Sequence, residues 1–215
     1  MPSYTVIFTI ARMNPPTPGH FVLIEHMIEK ALEHNLKNVY IILSSTCDQQ
    51  KNPLKPHQKR ELLESYGIPR VKRSLIKRKP KNADLIQDTK VNIILCDKFA
   101  NNVFIAVHHL LRQSYGRALC VIGTQTQLTH PRVDICLIDR TLLPISGTLV
   151  RTISKISFSA FASFYPGMCH KDVISLYDNL NRMEMPLTKD VVNARLYLLR
   201  NMRYSLRSYY TVPLR

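Results

Sequence analysis

YTVIFTIARMNPPTPGHFVLIEHMIEKAL, residues 4–32, changes its period halfway along. Tyr4–Ala11 is β-branched and aromatic and carries no charge before Arg12. That pattern predicts a strand buried on both faces of a parallel sheet. From Gly19 to about His34 the apolar residues Phe21, Leu23, Ile24, Met27, Ile28, Ala31 and Leu32 recur at helical spacing. Three prolines and a Gly-His pair lie between the two segments. Proline removes backbone donors and glycine widens the allowed dihedrals, so a plain connector needs far less of either. The stretch reads as a loop built to hold one histidine, His20, at the start of a helix.

The rest of the chain repeats the alternation. NVYIILSS (38–45), VNIILC (91–96), ALCVIG (118–123) and VDICLID (133–139) read as further strands. A helix is expected from about Pro56 to Ser65, where Pro56 suits a first helical turn, and another over 99–114. The basic run RVKRSLIKRKPK (70–81) reads as an exposed loop. Strands alternating with helices predict a Rossmann-like α/β fold, a five-stranded parallel sheet with helices on both faces. Beyond residue 151 the pattern is helical, with a break expected near Pro166-Gly167 and a further helix over 188–207. The expected organisation is an α/β core over 1–151 and a helical C-terminal extension over 152–215 packed on it.

Composition narrows the classes. The 215 residues carry 30 Lys+Arg against 15 Asp+Glu, a formal charge of +15, which favours polyanionic partners such as nucleotides or nucleic acid. Part of the excess is the cluster Arg70, Lys72, Arg73, Lys77, Arg78, Lys79 and Lys81. Arg200, Arg203 and Arg207 interleave with Tyr204, Tyr209 and Tyr210, a pattern that suits phosphate contact with base stacking. The five cysteines form no CxxC pair, so the sequence offers no structural metal site. Cys96, Cys120 and Cys136 sit in apolar runs, as free buried thiols do. No apolar run approaches the roughly 20 residues that span a bilayer, and the N-terminus lacks the basic segment and cleavage site of a signal peptide. The expected location is a reducing compartment, the cytoplasm, or a host's cytoplasm for a viral chain.

Two motifs carry chemistry. TPGH (17–20) puts the Thr17 hydroxyl and the His20 imidazole at a helix start, where backbone N–H groups and the positive dipole end favour a phosphate. Gly19 lets the backbone come close to that phosphate. ISGTLVR (145–151) offers Ser146 and Thr148 as cap and first-turn hydroxyls, Gly147 for close approach, and Arg151 as a cation reaching back to an anion.

In these residues the chain resembles the HxGH-type nucleotidyltransferase superfamily, whose first signature is HxGH or TxGH and whose second is close to ISSTxxR or SGTxxR. ARMNPPTPGH is similar to the GRxQPxHxGH loop of archaeal nicotinamide mononucleotide adenylyltransferases and to loops of phage and large-virus homologues. SSTCDQQKNPLKPHQKRELL (44–63) resembles the strand-end serines and NPF segment of those enzymes. The resemblance covers about residues 4–151.

It implies attack on the α-phosphorus of a nucleoside triphosphate, ATP or CTP, by a small phosphorylated acceptor, with release of pyrophosphate. Adenylyl transfer to nicotinamide mononucleotide is the specific expectation, and cytidylyl transfer to a phosphorylated alcohol or sugar the alternative. By the resemblance His20, Thr17 and Arg151 are the catalytic set. Arg12, Gly19, Lys51, Gly123, Ser146, Gly147 and Thr148 bind nucleotide and phosphate. Mg2+ is expected on the phosphate oxygens, with no protein metal ligands. The chain departs from the pattern at Ala11, where the archaeal loop has glycine, at Thr17 for the first His, and at Gln125 for an acid. It has no tryptophan for stacking an acceptor ring, and Phe104 is the nearest substitute. Those departures keep a second class open, a nucleotide-binding protein with weakened catalysis. The basic 70–81 segment and the C-terminal tail keep open a third, nucleic-acid binding.

Overall fold

The computed structural model describes residues 4–48, 51–123, 128–139, 145–182 and 188–201. β1 (Tyr4–Ala11), β2 (Asn38–Leu43), β3 (Lys90–Leu95), β4 (Arg117–Ile122) and β5 (Val133–Leu137) form one sheet in the order β3-β2-β1-β4-β5. Every neighbouring pair is parallel. The fold is therefore the expected Rossmann-like α/β arrangement. β1 lies at its centre, and Val6, Ile7, Phe8 and Thr9 are buried in succession because both faces are covered.

α1 (Pro18–Glu33) follows β1 and lays Phe21, Ile24, Met27, Ile28 and Ala31 on the face that carries Ile7, Ile41 and Val121. On the other face α5 (Val103–Arg112) sets Ala106, Val107, Leu110 and Leu111 against Val6, Phe8, Ile42, Cys120 and Ile122. The chain moves outward from β1 to β2 and β3, then returns to β4 on the far side of β1. The order thus reverses between β1 and β4, the place where α/β sheets open a crevice at their carboxyl ends.

Two expectations need correction. The basic run 70–81 is no loop. α2 (Pro56–Leu62) runs through a π-helical turn (Leu63–Gly67) into α3 (Ile68–Arg78), followed by a short 3-10 turn over 80–82 and α4 (Ala83–Asp88). The π turn sits where Pro69 removes one ladder donor, and a one-residue bulge absorbs the loss without ending the helix. Gly67 is needed there: a Cβ on it would lie 2.8 Å from the Phe21 ring. Val71 and Leu75 are buried on one stripe of α3, so the run folds as an amphipathic helix in spite of its charge. Arg78 and Lys79 of this segment pair with Glu25 and Glu29 of α1.

The helix expected from residue 99 begins later. Cys96–Phe99 is a 3-10 turn, Ala100 and Asn101 take positive φ (49° and 58°), and α5 starts after Asn102, whose side chain accepts from the Phe104 and Ile105 amides.

α6 (Gly147–Ser154), α7 (Phe158–Ala162), α8 (His170–Asn181) and α9 (Thr188–Asn201) complete the described chain. Val150, Ile153, Phe161, Tyr165, Val173, Leu176 and Ala194 join the same apolar cluster as α1 and β1. Arg203, Arg207, Tyr204, Tyr209 and Tyr210 lie outside the described residues, as does Gln125. All five cysteines are free. No helix among the described residues is long and apolar enough to cross a membrane.

Candidate functional site

The two motifs, more than 120 residues apart in sequence, meet past the carboxyl end of β1. Thr17 is the N-cap residue of α1, in extended backbone, and is fully buried. Its hydroxyl lies 2.8 Å from His20 Nδ1 and 3.2 Å from the carbonyl oxygen of Ile145, the first residue of ISGTLVR. Its backbone N–H donates to the same His20 Nδ1 at 3.1 Å. An amide proton cannot move to suit its partner, so Nδ1 must accept, and the proton of a neutral ring then sits on Nε2. The half-buried ring thus presents Nε2–H as a donor at the N-terminus of a 16-residue helix.

Asn14 ties three segments together. It is buried, and its side chain pairs with the backbone of Leu54 in both directions: Nδ2 donates to the Leu54 carbonyl and Oδ1 accepts from the Leu54 amide, each at 3.0 Å. Its own carbonyl accepts from Nη1 of Arg151. The Asn14-Pro15 peptide is cis, and the preceding Met13 is buried at φ 46°. Gly147 fits against this carbonyl. A Cβ there would lie 3.1 Å from Arg151 Nη1 and 3.2 Å from Asn14 O.

On α6, Ser146 is the N-cap, and its Oγ accepts from the Leu149 amide at 3.1 Å. Thr148 is exposed, and its Oγ1 accepts from Arg151 Nη2 at 3.0 Å. Arg151 therefore braces α6 against the loop that leads into TPGH and does not simply project into the crevice. Burial lowers its pKa, opposed by Asp48 and Asp190 and reinforced by the like charge of Arg12. A guanidinium keeps its proton regardless, so Arg151 stays cationic at this place, with Arg12 as a like-charged neighbour and Asp48 and Asp190 as opposite ones.

The remaining predicted residues occupy adjacent loops. Arg12 is exposed just beyond β1, and Gly19 is buried in the first turn of α1. Lys51 is exposed on a tight loop whose centre is Asp48: Asp48 Oδ1 accepts from the Lys51 amide at 2.6 Å and from the Asn52 amide at 3.1 Å. Gly123 is half-buried at the end of β4. The structure brings Thr17, His20, Ser146, Gly147, Thr148 and Arg151 into one constellation. Arg12 lies beside it, while Lys51 and Gly123 sit on flanking loops. Phe104 is exposed on α5.

Two contributors escaped the sequence reading. Asn14 is one. Lys59 is another: it is fully buried under the loop after β2, donating to the Ser44 carbonyl and, at 3.4 Å, to that of Thr46. Burial lowers its pKa, against the opposing influence of Cys47 and Cys96. Ser45, one of the strand-end serines, accepts at Oγ from the Asp97 amide at 2.7 Å and joins the ends of β2 and β3. A capped helix start two residues after NPL was the available signal for Lys59, since the fourth residue of such a helix turns back toward the strand end.

The chain matches no protein-family model and no curated protein.

Proposed function

We propose that this chain is a nucleotidyltransferase. It transfers a nucleoside monophosphate from a triphosphate to a small phosphorylated acceptor and releases pyrophosphate. The observation that supports this best is the direct contact of the Asn14–His20 loop, which contains TPGH, with ISGTLVR, through Thr17 to Ile145 and through Arg151 to Asn14. That contact sets the starts of α1 and α6 side by side at the crevice, with a donor imidazole between them. Such a pair of helix starts suits a chain of phosphates.

In this reading His20 Nε2–H donates to an oxygen on the α-phosphorus as charge builds there. The first-turn amides of α6, the hydroxyls of Ser146 and Thr148, and Arg151 hold the leaving pyrophosphate. Arg12 and Lys51 add positive potential. Catalysis is positioning plus charge stabilisation, and no covalent intermediate is needed. Among the described residues no group of three or more His, Cys, Asp or Glu converges. Mg2+ would arrive on the triphosphate and supply neutralisation of phosphate charge there. The specific reaction is adenylyl transfer from ATP to nicotinamide mononucleotide; cytidylyl transfer to a phosphorylated alcohol or sugar is the alternative.

A second reading concerns nucleic acid. Arg73, Ser74, Lys77 and Lys81 are exposed together along α3 and its end, a polar basic stripe that fits a phosphate backbone. It makes α3 an auxiliary docking face and leaves the crevice chemistry unchanged.

Pyrophosphate release, measured over each triphosphate with a panel of phosphorylated acceptors, tests the first reading. One pair should turn over, and His20→Ala should slow it about 100- to 1,000-fold. Silence with every pair, or turnover untouched by His20→Ala, refutes it. A salt-steep affinity for single strands, lost on reversing Arg73 and Lys77, tests the second.

A further inference from the structure

Tyr165 stands in the turn after α7, far along the chain from the TPGH loop. Its side chain is fully buried, and its ring packs against Phe161 (centroids 5.3 Å apart) and Tyr66 (6.2 Å). Its hydroxyl donates to the Pro16 carbonyl at 2.8 Å. Burial pushes its pKa well above the ordinary tyrosine value, so the hydroxyl stays protonated and remains a donor.

The carbonyl it reaches belongs to the same peptide unit as the Thr17 N–H, and that N–H donates to His20 Nδ1. Resonance makes the two ends of a peptide one electronic unit. A hydrogen bond accepted at the oxygen withdraws charge from the nitrogen and strengthens the N–H as a donor, as in any hydrogen-bonded chain. Tyr165, the Pro16–Thr17 peptide and His20 form such a chain.

We propose that Tyr165 is a positioning residue for His20, acting through the Pro16–Thr17 peptide to hold Nδ1 as an acceptor and thereby keep the proton on Nε2. A carboxylate behind a catalytic histidine does a related job in other enzymes, but it would bond Nδ1–H and select the same Nε2 only as acceptor. Here a neutral relay selects the opposite role for Nε2, a donor, which is what a group facing phosphate oxygens needs. The catalytic part of this inference rests on the nucleotidyltransferase reading; the tautomer does not.

The test compares Tyr165→Phe with Tyr66→Phe. Each removes one phenolic hydroxyl from the same ring cluster and keeps the ring, so each costs no more than a hydrogen bond or two and leaves a folded chain. The Tyr66 hydroxyl donates instead to the Pro166 carbonyl at 3.0 Å. Nitrogen-15 NMR of His20 in the neutral ring reads which nitrogen bears the proton. The wild type should show proton on Nε2 alone. Tyr165→Phe should weaken the Thr17 N–H bond to Nδ1 and shift the Nδ1 resonance toward that of a ring nitrogen without a donor, and Tyr66→Phe should not. With the nucleotide pair that turns over, Tyr165→Phe should lower kcat roughly 3- to 10-fold, the size of one neutral hydrogen bond, with KM changed less than about twofold.

A wild-type ring protonated on Nδ1 would overturn the proposal. So would a Tyr165→Phe spectrum identical to wild type, or an equal change in Tyr66→Phe. A chain inactive with every nucleotide pair but showing the expected spectra would refute the reaction and leave the relay standing.

Discussion

Replacing Asn14 by alanine isolates the contact that ties the loop before TPGH to the NPL segment. The side chain is buried and makes two hydrogen bonds of 3.0 Å to one residue, Leu54, which is itself 1 % exposed. Alanine leaves the Leu54 amide and carbonyl buried and unpaired. Each such group costs about 1–3 kcal/mol, so the pair should cost about 3 kcal/mol once some water has entered the gap. For a chain of this size that corresponds to a fall in Tm of about 6–12 °C. Thermal unfolding followed by circular dichroism reads the loss, and hydrogen exchange at the Leu54 amide locates it: slow in the wild type, fast in Asn14→Ala. A midpoint within about 2 °C of the wild type, with the Leu54 amide still protected, would refute the assignment of Asn14 as the tie.

Thr17→Val keeps the shape of a fully buried side chain and deletes the hydroxyl between His20 and Ile145. It should cost about 1–2 kcal/mol in urea unfolding and lower pyrophosphate release by about tenfold. Gly147→Ala sets a methyl 3.1 Å from Arg151 Nη1 and 3.2 Å from the Asn14 carbonyl, which cannot move without breaking the bond between them. The overpacking should cost about 1–3 kcal/mol, outweighing the gain of up to about 1 kcal/mol in helix propensity, and denaturant midpoints decide the sign. Burial pushes the Cys120 thiol from 9.0 up to about 12, so the folded chain holds a proton that the unfolded chain loses as pH rises past 9. Its stabilising contribution is complete below pH 9 and is lost as pH climbs toward about 12, a fall of about 1 kcal/mol between pH 9 and 10. Cys120→Ala should flatten that part of the pH–stability curve, and an unchanged slope would contradict the assignment.

The strands were legible because a parallel sheet buries both faces of each strand, leaving continuous apolar runs such as Val6–Phe8 and Ile41–Leu43. α3 was not legible, because only Val71 and Leu75 show its buried stripe while seven basic residues in and after it set the local character. Within the site, TPGH and ISGTLVR could be read because their residue types announce helix starts. Asn14 could not: its partner is a backbone 40 positions away, and no sequence pattern records such a pair. Lys59 looked like one more surface charge on a helix, and only the fold turns it under the loop after β2. Tyr165 is hidden for the same reason, since its contact to Pro16 spans 149 positions.

The claim that TPGH and ISGTLVR together hold a triphosphate for attack at its α-phosphorus is tested most directly by tracing that phosphorus. With ATP labelled at the α-phosphate and nicotinamide mononucleotide as acceptor, the label should appear in a dinucleotide product while the released pyrophosphate stays unlabelled. With labelled CTP and a phosphorylated alcohol or sugar, if that pair is the true one, the label should appear in the cytidine diphosphate ester and again not in pyrophosphate. Label that remains in the triphosphate, or that emerges only as free nucleoside monophosphate whatever acceptor is supplied, would contradict the account.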